Sequence, residues 1–200
     1  MSNKKMLRIT DITVSYDGVD VLKNVSLTAA SGDCVRLTGP SGSGKTTLML
    51  AASGIVKPRL GRVECGFRRI GFVFQDERLL PWLTAQENVA FALSGICPDS
   101  EAVSRAQAVL ERVGLEGHFG KYPSELSGGM VKRVNLARAL AVDPELLFLD
   151  EAFACMEAPL AAHCLELVAE WQERRKGCLV AAAHDSTLDG RFPWRTVELP

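Results

Sequence analysis

Residues 39–47 form a glycine-rich stretch with the sequence Gly-Pro-Ser-Gly-Ser-Gly-Lys-Thr-Thr. An apolar strand pattern at 34–38 precedes it and a helical pattern at 48–52 follows it, so it lies at a strand-to-helix turn. Glycines let the backbone curl until successive N–H groups point at phosphates, and a helix N-terminus adds partial positive charge. The stretch therefore predicts a phosphate-binding loop made of Gly39, Pro40, Ser41, Gly42, Ser43, Gly44, Lys45, Thr46 and Thr47.

Two side chains of this loop carry specific chemistry. Lys45 is placed to reach the β- and γ-phosphates, and the Thr46 hydroxyl is placed to ligate Mg²⁺. A glycine- and serine-rich stretch is usually an ordinary turn, but the Gly-Lys-Thr ending after a strand favours nucleotide binding. Tyr16, at the end of the first strand pattern, has two interpretations that stay open: a stacking platform for adenine, or a half-buried tyrosine without such a role.

Length and composition exclude several classes of protein. The chain has 200 residues, which suits one domain with an inserted subdomain, and its formal net charge of −1 gives no support for a nucleic-acid partner. Its six cysteines are scattered without a C-x-x-C pair, as expected for free buried thiols in the cytosol. We find no signal-peptide pattern and no apolar run long enough to span a bilayer, so a role at a membrane is expected to require another chain.

Hydrophobic patterning predicts an α/β fold with a mostly parallel core sheet and an N-terminal antiparallel portion. Strand patterns at 7–15 and 21–27 flank a turn, as in a hairpin. Continuous apolar patterns at 70–74, 146–149 and 178–183 are typical of buried parallel strands. Between Gln75 and about Asp143 the pattern is helical, and Thr84 with Glu87 matches a capping box at the start of one helix. The intervening segment is therefore predicted to be a helical subdomain inserted in the core.

Polar side chains follow the predicted buried strands. Gln75, the pair Asp150 and Glu151, and His184 each come directly after one of them. The carboxyl ends of parallel strands form the ligand crevice of an open α/β sheet, so these groups are expected beside the phosphates. Asp150 would hold Mg²⁺ through its water shell, Glu151 would orient or deprotonate the water that attacks the γ-phosphate, and His184 would contact that phosphate or water.

The order of these motifs resembles the ATPase subunits of ATP-binding cassette (ABC) transporters, from Tyr16 to His184. Walker motifs alone leave kinases and GTPases open, whereas a signature sequence ahead of the Walker B strand distinguishes this family. The matching positions are the aromatic Tyr16, the Walker A loop 39–47, the Q-loop Gln75, the signature residues Leu126, Ser127, Gly128 and Gly129, the Walker B residues Asp150 and Glu151, and the switch His184.

The resemblance implies one P-loop ABC ATPase domain over 1–200, with a RecA-like core at 1–75 and 144–200 and a helical subdomain at about 76–143. It implies a head-to-tail homodimer or heterodimer, in which Ser127, Gly128 and Gly129 cover the ATP bound by the partner subunit. It also implies ATP and Mg²⁺ as cofactors. The implied metal ligands are Thr46, Gln75 and Asp150, and the implied catalytic residues are Gln75, Glu151 and His184.

The same resemblance implies integral membrane permease subunits as partners, a solute-binding protein as an indirect one, and a peripheral location at the cytoplasmic face of the inner membrane. The apolar loop 79–83 either docks such a permease or packs the helical subdomain. The run Phe-Gln-Asp-x-x-Leu-Leu-Pro-Trp at 74–82, followed by a Thr and Glu-Asn-Val, looks like the importer branch that serves nitrate, sulfonates and taurine.

Three departures from the family pattern bear on the rate and symmetry of hydrolysis. Met130 stands where the signature usually continues with Gln, Ala152 stands where Pro usually follows the Walker B Glu, and the D-loop at 154–157 reads Ala-Cys-Met-Glu instead of Ser-Ala-Leu-Asp. The first hypothesis is an ATP-hydrolysing subunit of an importer. The alternatives are a weakly hydrolysing nucleotide-dependent switch, an exporter-type ATPase, or a soluble ABC ATPase of repair or translation.

Overall fold

The computed structural model describes residues 5–76, 78–154, 156–182, 188 and 190–200. His184 and Cys155, both singled out from the sequence, lie outside the described residues. In chain order the elements are β1 (Met6–Tyr16), β2 (Val19–Ala30), β3 (Cys34–Thr38), α1 (Lys45–Ala52), β4 (Leu60–Cys65), β5 (Ile70–Val73), α2 (Ala85–Phe91), α3 (Asp99–Arg112), a 3₁₀ turn (Pro123–Glu125), α4 (Gly128–Ala141), β6 (Leu146–Asp150), α5 (Ala158–Arg175), β7 (Cys178–Ala182) and β8 (Trp194–Glu198).

A five-stranded sheet forms the centre of the fold, with strand order β5-β6-β7-β3-β8 and parallel pairing throughout. Strands β6 and β7 are buried along their whole length, and apolar clusters cover the sheet on both faces. This is why their sequences are continuously apolar instead of alternating. In the register, Asp150 and Leu37 both pair with Ala182, so β6, β7 and β3 end at one edge of the sheet.

A second sheet is antiparallel, as predicted from the hairpin pattern, and has the order β2-β1-β4. Asp17 and Gly18 form the two-residue turn between β1 and β2, with φ of +49° and +80°. An Asp-Gly pair suits two successive positive φ values, because glycine has no Cβ and aspartate tolerates the left-handed region. The hairpin turn is therefore specified locally.

The three helices α2, α3 and α4 lie between β5 and β6 in the chain and pack around shared buried side chains. The capping box at the start of α2 is confirmed. The backbone N–H of Glu87 donates to the Thr84 hydroxyl at 3.2 Å, and the N–H of Thr84 donates to the Glu87 carboxylate at 2.8 Å. None of the helices in the described ranges is long and apolar enough to cross a bilayer.

Two helices begin earlier than their apolar patterns indicated. α1 starts at Lys45, three residues before the helical pattern at 48–52, and α4 starts at Gly128, three residues before the helix that the sequence predicts over 131–141. In α4 the reason is the Ser127 hydroxyl, which accepts from the backbone N–H of Met130 at 3.3 Å and so caps the helix. Apolar periodicity marks the packed part of a helix and misses a polar first turn.

Candidate active site

The glycine-rich loop 39–47 connects β3 to α1, as its sequence predicted. Gly39, Gly42 and Gly44 have φ of +139°, +83° and +88°. A Cβ at Gly44 would lie 2.4 Å from Cδ2 of Leu22, and one at Gly39 would lie 2.5 Å from the backbone oxygen of Leu199. Both positions therefore need glycine for space as well as for conformation.

Lys45 is buried within the curve of this loop. Its Nζ donates to the carbonyl oxygens of Gly39 and Pro40, each at 2.9 Å, and to the Ser43 hydroxyl at 3.4 Å. The ammonium group is thus held at the N-terminus of α1, where the helix dipole also favours an anion. The loop combines a fixed cation with a helix N-terminus, which fits a polyphosphate.

Asp150 is the last residue of β6 and is only 2 % exposed. The Thr46 hydroxyl donates to its Oδ2 at 2.7 Å. Burial raises the pKa of the Asp150 carboxyl, the hydrogen bond from Thr46 opposes that rise, and the negative charge of Glu151 adds to it. A buried carboxylate beside a hydroxyl and a second carboxylate is costly without a cation, and oxygen ligands of this kind suit Mg²⁺. The residues present therefore fit the ion.

Glu151 and Gln75 contact each other at the same sheet edge. Gln75 Nε2 donates to Glu151 Oε2 at 3.2 Å. Glu151 has a φ of +47°, and its backbone N–H donates to the carbonyl of Ala182 on β7 at 2.9 Å. A non-glycine residue in the left-handed region is uncommon, and such residues concentrate at functional sites.

The structure brings most of the candidate residues to one edge, but not all of them. Tyr16 lies exposed at the start of the β1–β2 turn, and Gln75 lies exposed just beyond β5. The signature residues Ser127, Gly128 and Gly129 begin α4, and no hydrogen bond among the described residues joins them to the glycine-rich loop or to Asp150.

Sequence reasoning missed three polar residues of α4 that reach the loops of this site. Asn135 Nδ2 donates to the carbonyl of Phe74 at 3.0 Å, Arg138 Nη1 donates to the carbonyl of Arg78 at 2.8 Å, and Lys132 Nζ donates to the carbonyl of Ala154 at 2.7 Å. The available signal was the presence of polar side chains in a helix segment that is otherwise buried and apolar at Val134, Leu136, Ala137 and Ala139.

The loop 79–83 is fastened to α2 by one buried amide. Asn88 Nδ2 donates to the carbonyls of Leu80, Leu83 and Thr84 at 2.9–3.1 Å, and its Oδ1 accepts from the N–H of Leu80 at 2.8 Å. This arrangement leaves Trp82 69 % exposed on the loop, and Phe91 at the end of α2 is 61 % exposed.

The family described as ABC transporter matches residues 22–154, which include the glycine-rich loop, Gln75, the signature and the Asp150–Glu151 pair. The chain belongs to the ABC transporter family. As an ATP-binding member of this family it is an ATPase. The predicted α/β fold, with a parallel core sheet and an antiparallel portion, is confirmed.

Several ABC transporter relatives are similar along most of their length. The taurine import ATP-binding protein TauB of Escherichia coli O157:H7 is 40 % identical in an alignment 190 positions long that covers 90 % of this chain and 74 % of TauB. The ABC transporter ATP-binding protein YtrE of Bacillus subtilis is 40 % identical over 85 % of this chain and 81 % of YtrE. The aliphatic sulfonates import ATP-binding protein SsuB of Bacillus cereus is 37 % identical over 87 % of this chain and 76 % of SsuB.

Solved structures of ABC transporter cassettes share the fold. A dimeric structure of the bacterial cassette MJ0796 superposes with a TM-score of 0.88 at 29 % identity, covering 96 % of this chain and 94 % of that one. A second dimeric structure of MJ0796, in a post-hydrolysis state bound to ADP and Pi, superposes equally well, with a TM-score of 0.88 at 29 % identity over the same shares of the two chains.

Proposed function

We propose that this chain powers an importer of a small solute by binding and hydrolysing ATP between two subunits that pair head to tail. The observation that carries the proposal is the meeting of Lys45, Thr46, Asp150, Glu151 and Gln75 at the carboxyl edge of one parallel sheet. Import is favoured because TauB and SsuB are named as import proteins.

The proposed roles follow from the geometry of the side chains. The loop N–H groups and Lys45 bind the phosphates of ATP, and Tyr16 offers its exposed ring to the adenine. Thr46, Gln75 and Asp150 are the proposed ligands of Mg²⁺, which when bound offsets the charge of the phosphate oxygens. Glu151, supported by Gln75, orients the attacking water and accepts its proton, and His184 is proposed to act on the γ-phosphate side.

Two subunits are needed to complete this proposed site. Ser127 and Gly128 are exposed at the N-terminus of α4, and these N–H groups and the hydroxyl suit an anion presented by a partner subunit. The dimeric state of the MJ0796 structures supports the same arrangement. We propose further that 1–75 and 144–200 form the nucleotide-binding core, and that 76–143 form a helical subdomain that carries the signature to the partner.

The concentration dependence of hydrolysis tests this proposal. If only the dimer turns over, the rate per subunit at concentrations below the dimer dissociation constant falls about tenfold for each tenfold dilution, by mass action. The measurement is steady-state phosphate release by the purified chain over a wide range of protein concentration. A rate per subunit that does not change on dilution, with the protein monomeric by light scattering, would overturn the shared site.

The loop 79–83, with Trp82 exposed on it, is the proposed docking site for the permease at the cytoplasmic face of the inner membrane, with a solute-binding protein contributing only indirectly. Trp82 is 69 % exposed, the largest exposed fraction among the large hydrophobic side chains of the described residues, so covering its ring by a partner would remove much apolar area from water. The hydrogen bonds from Asn88 to the loop backbone fix the conformation of the loop, which lowers the conformational entropy lost on docking.

Trp82→Ala is expected to weaken association with the permease by roughly thirtyfold or more, because buried aromatic anchors contribute about 2 kcal/mol or more to an interface. The measurement is co-purification of the permease from native membranes in detergent, with phosphate release by the isolated subunit as a check of the fold. Val19→Ala is the matched control, because Val19 is 67 % exposed on the β1–β2 hairpin. Equal recovery with both variants would exclude Trp82 from the interface.

The switch hypothesis, in which the altered D-loop leaves a binder with little hydrolysis, is less well supported. Met156 packs against the apolar core, as the usual Leu would, and Glu157 retains an exposed acidic side chain where Asp is usual. Normal ATP affinity together with phosphate release at the level of the blank, at every protein concentration, would favour the switch.

A further inference from the structure

Helix α4 is hydrogen-bonded to both ends of the short segment that carries Gln75. Asn135 donates to the carbonyl of Phe74, the residue before Gln75, and Arg138 donates to the carbonyl of Arg78, three residues after it. Gln75 itself is exposed and reaches Glu151 with its side-chain amide. The position of that amide therefore depends on the backbone that α4 holds.

Asn135 and Arg138 act as one unit. Asn135 is 1 % exposed, and its Oδ1 accepts from Arg138 Nη2 at 3.0 Å, which orients the amide so that Nδ2 faces the Phe74 carbonyl. Burial lowers the pKa of the Arg138 guanidinium, so placing this cation here has a desolvation cost. A buried amide and a partly buried guanidinium in an otherwise apolar stretch of helix thus fix one arrangement of the adjoining loop through their hydrogen bonds.

Aromatic contacts fix the other side of the same segment. The Phe74 ring stacks on Phe72 with centroids 4.1 Å apart, and Phe72 in turn contacts Phe148 of β6 at 5.3 Å. The Arg78 guanidinium lies over the Phe74 ring, with its Cζ 4.6 Å from the centroid. Phe74 is thus held by its ring against the sheet and by its carbonyl against α4.

We propose that Asn135 and Arg138 are positioning residues for ATP hydrolysis, which hold the Gln75 backbone where its side chain meets Glu151. This inference rests on the proposed function. Because the same helix is capped by Ser127 and starts at Gly128, it also ties the surface proposed to face the partner's nucleotide to the hydrolytic residues of its own subunit. A change in the tilt of α4 would move Phe74 and Arg78, and with them the Gln75 amide.

The competing explanation is that Asn135 only satisfies a buried carbonyl and contributes stability. Asn135→Asp separates the two, because the new carboxylate keeps an oxygen for Arg138 but loses the donor to Phe74. If Asn135 only stabilises the fold, Asn135→Asp would lower the melting temperature and the fraction of active protein. Replacing a positioning residue would lower kcat with much less change in KM for ATP, because Lys45 and the glycine-rich loop are untouched and Gln75 is only one of three proposed Mg²⁺ ligands.

The experiment is a double-mutant cycle of Asn135→Asp and Gln75→Ala in the full chain, at a concentration where the wild-type rate per subunit has stopped rising. Asn135→Asp is expected to lower kcat about tenfold with a much smaller change in KM, since small displacements of an orienting group reduce rates by such factors. In the Gln75→Ala background the same change is expected to have little further effect, because the two act through one contact. Asn24→Asp is the control, as Asn24 is an exposed asparagine on β2.

Three outcomes would overturn the inference: an unchanged kcat, a loss of rate that tracks the melting temperature, or a full tenfold loss in the Gln75→Ala background. If Asn135→Asp does not fold, Arg138→Lys takes its place in the cycle, because it keeps the charge and loses the two-pronged donor to Asn135 and Arg78. The single variant Gln75→Ala distinguishes a failure of the proposed function from a failure of the positioning role. If Gln75→Ala leaves hydrolysis intact, the proposed role of Gln75 fails. If Gln75→Ala lowers the rate of hydrolysis but the α4 variants do not, only the positioning role is rejected.

Discussion

Replacing Glu151 by Gln is expected to lower the rate of ATP hydrolysis about a thousandfold while leaving ATP binding intact, because a positioned general base contributes factors of this order. The amide is isosteric with the carboxylate and can still accept from Gln75 Nε2 through its oxygen, so the local contact at 3.2 Å survives. It cannot take a proton from water. The backbone at Glu151 is held by its hydrogen bond to Ala182, which the substitution does not touch.

Two measurements on Glu151→Gln are needed together. Phosphate release reports turnover, and size-exclusion chromatography with ATP reports the dimer, which is expected to accumulate because hydrolysis no longer reopens it. Glu116→Gln is the control, since Glu116 is an exposed glutamate in the turn after α3. Hydrolysis at the wild-type rate in Glu151→Gln would remove Glu151 from the catalytic role and would direct attention to another base.

Replacing Lys45 by Ala is expected to weaken ATP binding on the order of a hundredfold, because charge-assisted hydrogen bonds contribute roughly 1.5–3 kcal/mol each and Lys45 can reach two phosphates. The ammonium is already held within the loop by the carbonyls of Gly39 and Pro40 at 2.9 Å, so its position is prepared before the nucleotide arrives. Equilibrium titration with a fluorescent ATP analogue measures the loss.

The same lysine also supports the loop that it belongs to, and a control must separate these effects. Lys57→Ala removes an exposed lysine and is expected to leave affinity unchanged. Melting curves without nucleotide show whether Lys45→Ala alters the fold. Wild-type affinity in a folded Lys45→Ala protein would mean that the loop amides and the helix N-terminus bind the phosphates without the lysine.

Local chemistry made much of this molecule predictable. The glycine-rich loop, the Asp17-Gly18 turn and the Thr84–Glu87 capping box are each specified by residues a few positions apart, so a pattern along the chain was enough. The apolar strands β6 and β7 could be read in the same way, because a strand buried on both faces needs apolar side chains at every position.

The side-chain contacts from α4 to distant loops were not predictable. The hydrogen bonds from α4 to Phe74 and Arg78 join residues about sixty positions apart, and they depend on the angle at which the helix crosses β5. Strand order is set in the same way by packing across the whole chain, so no pattern placed β3 between β7 and β8. The site residues recognisable by spacing were predicted, and those that hold them in place were found only in three dimensions.

The position of β5 at the margin of the parallel sheet has a mechanical consequence. The helices α2 to α4 leave the sheet at this outermost strand and return at its neighbour β6, whereas the glycine-rich loop is anchored on β3, which has a neighbour on each side. A force applied to the helices therefore reaches the sheet at β5, which has one pairing partner, and at β6, but not directly at β3, which anchors the glycine-rich loop. We expect the segment around Gln75 to shift more readily than the glycine-rich loop when the helices move.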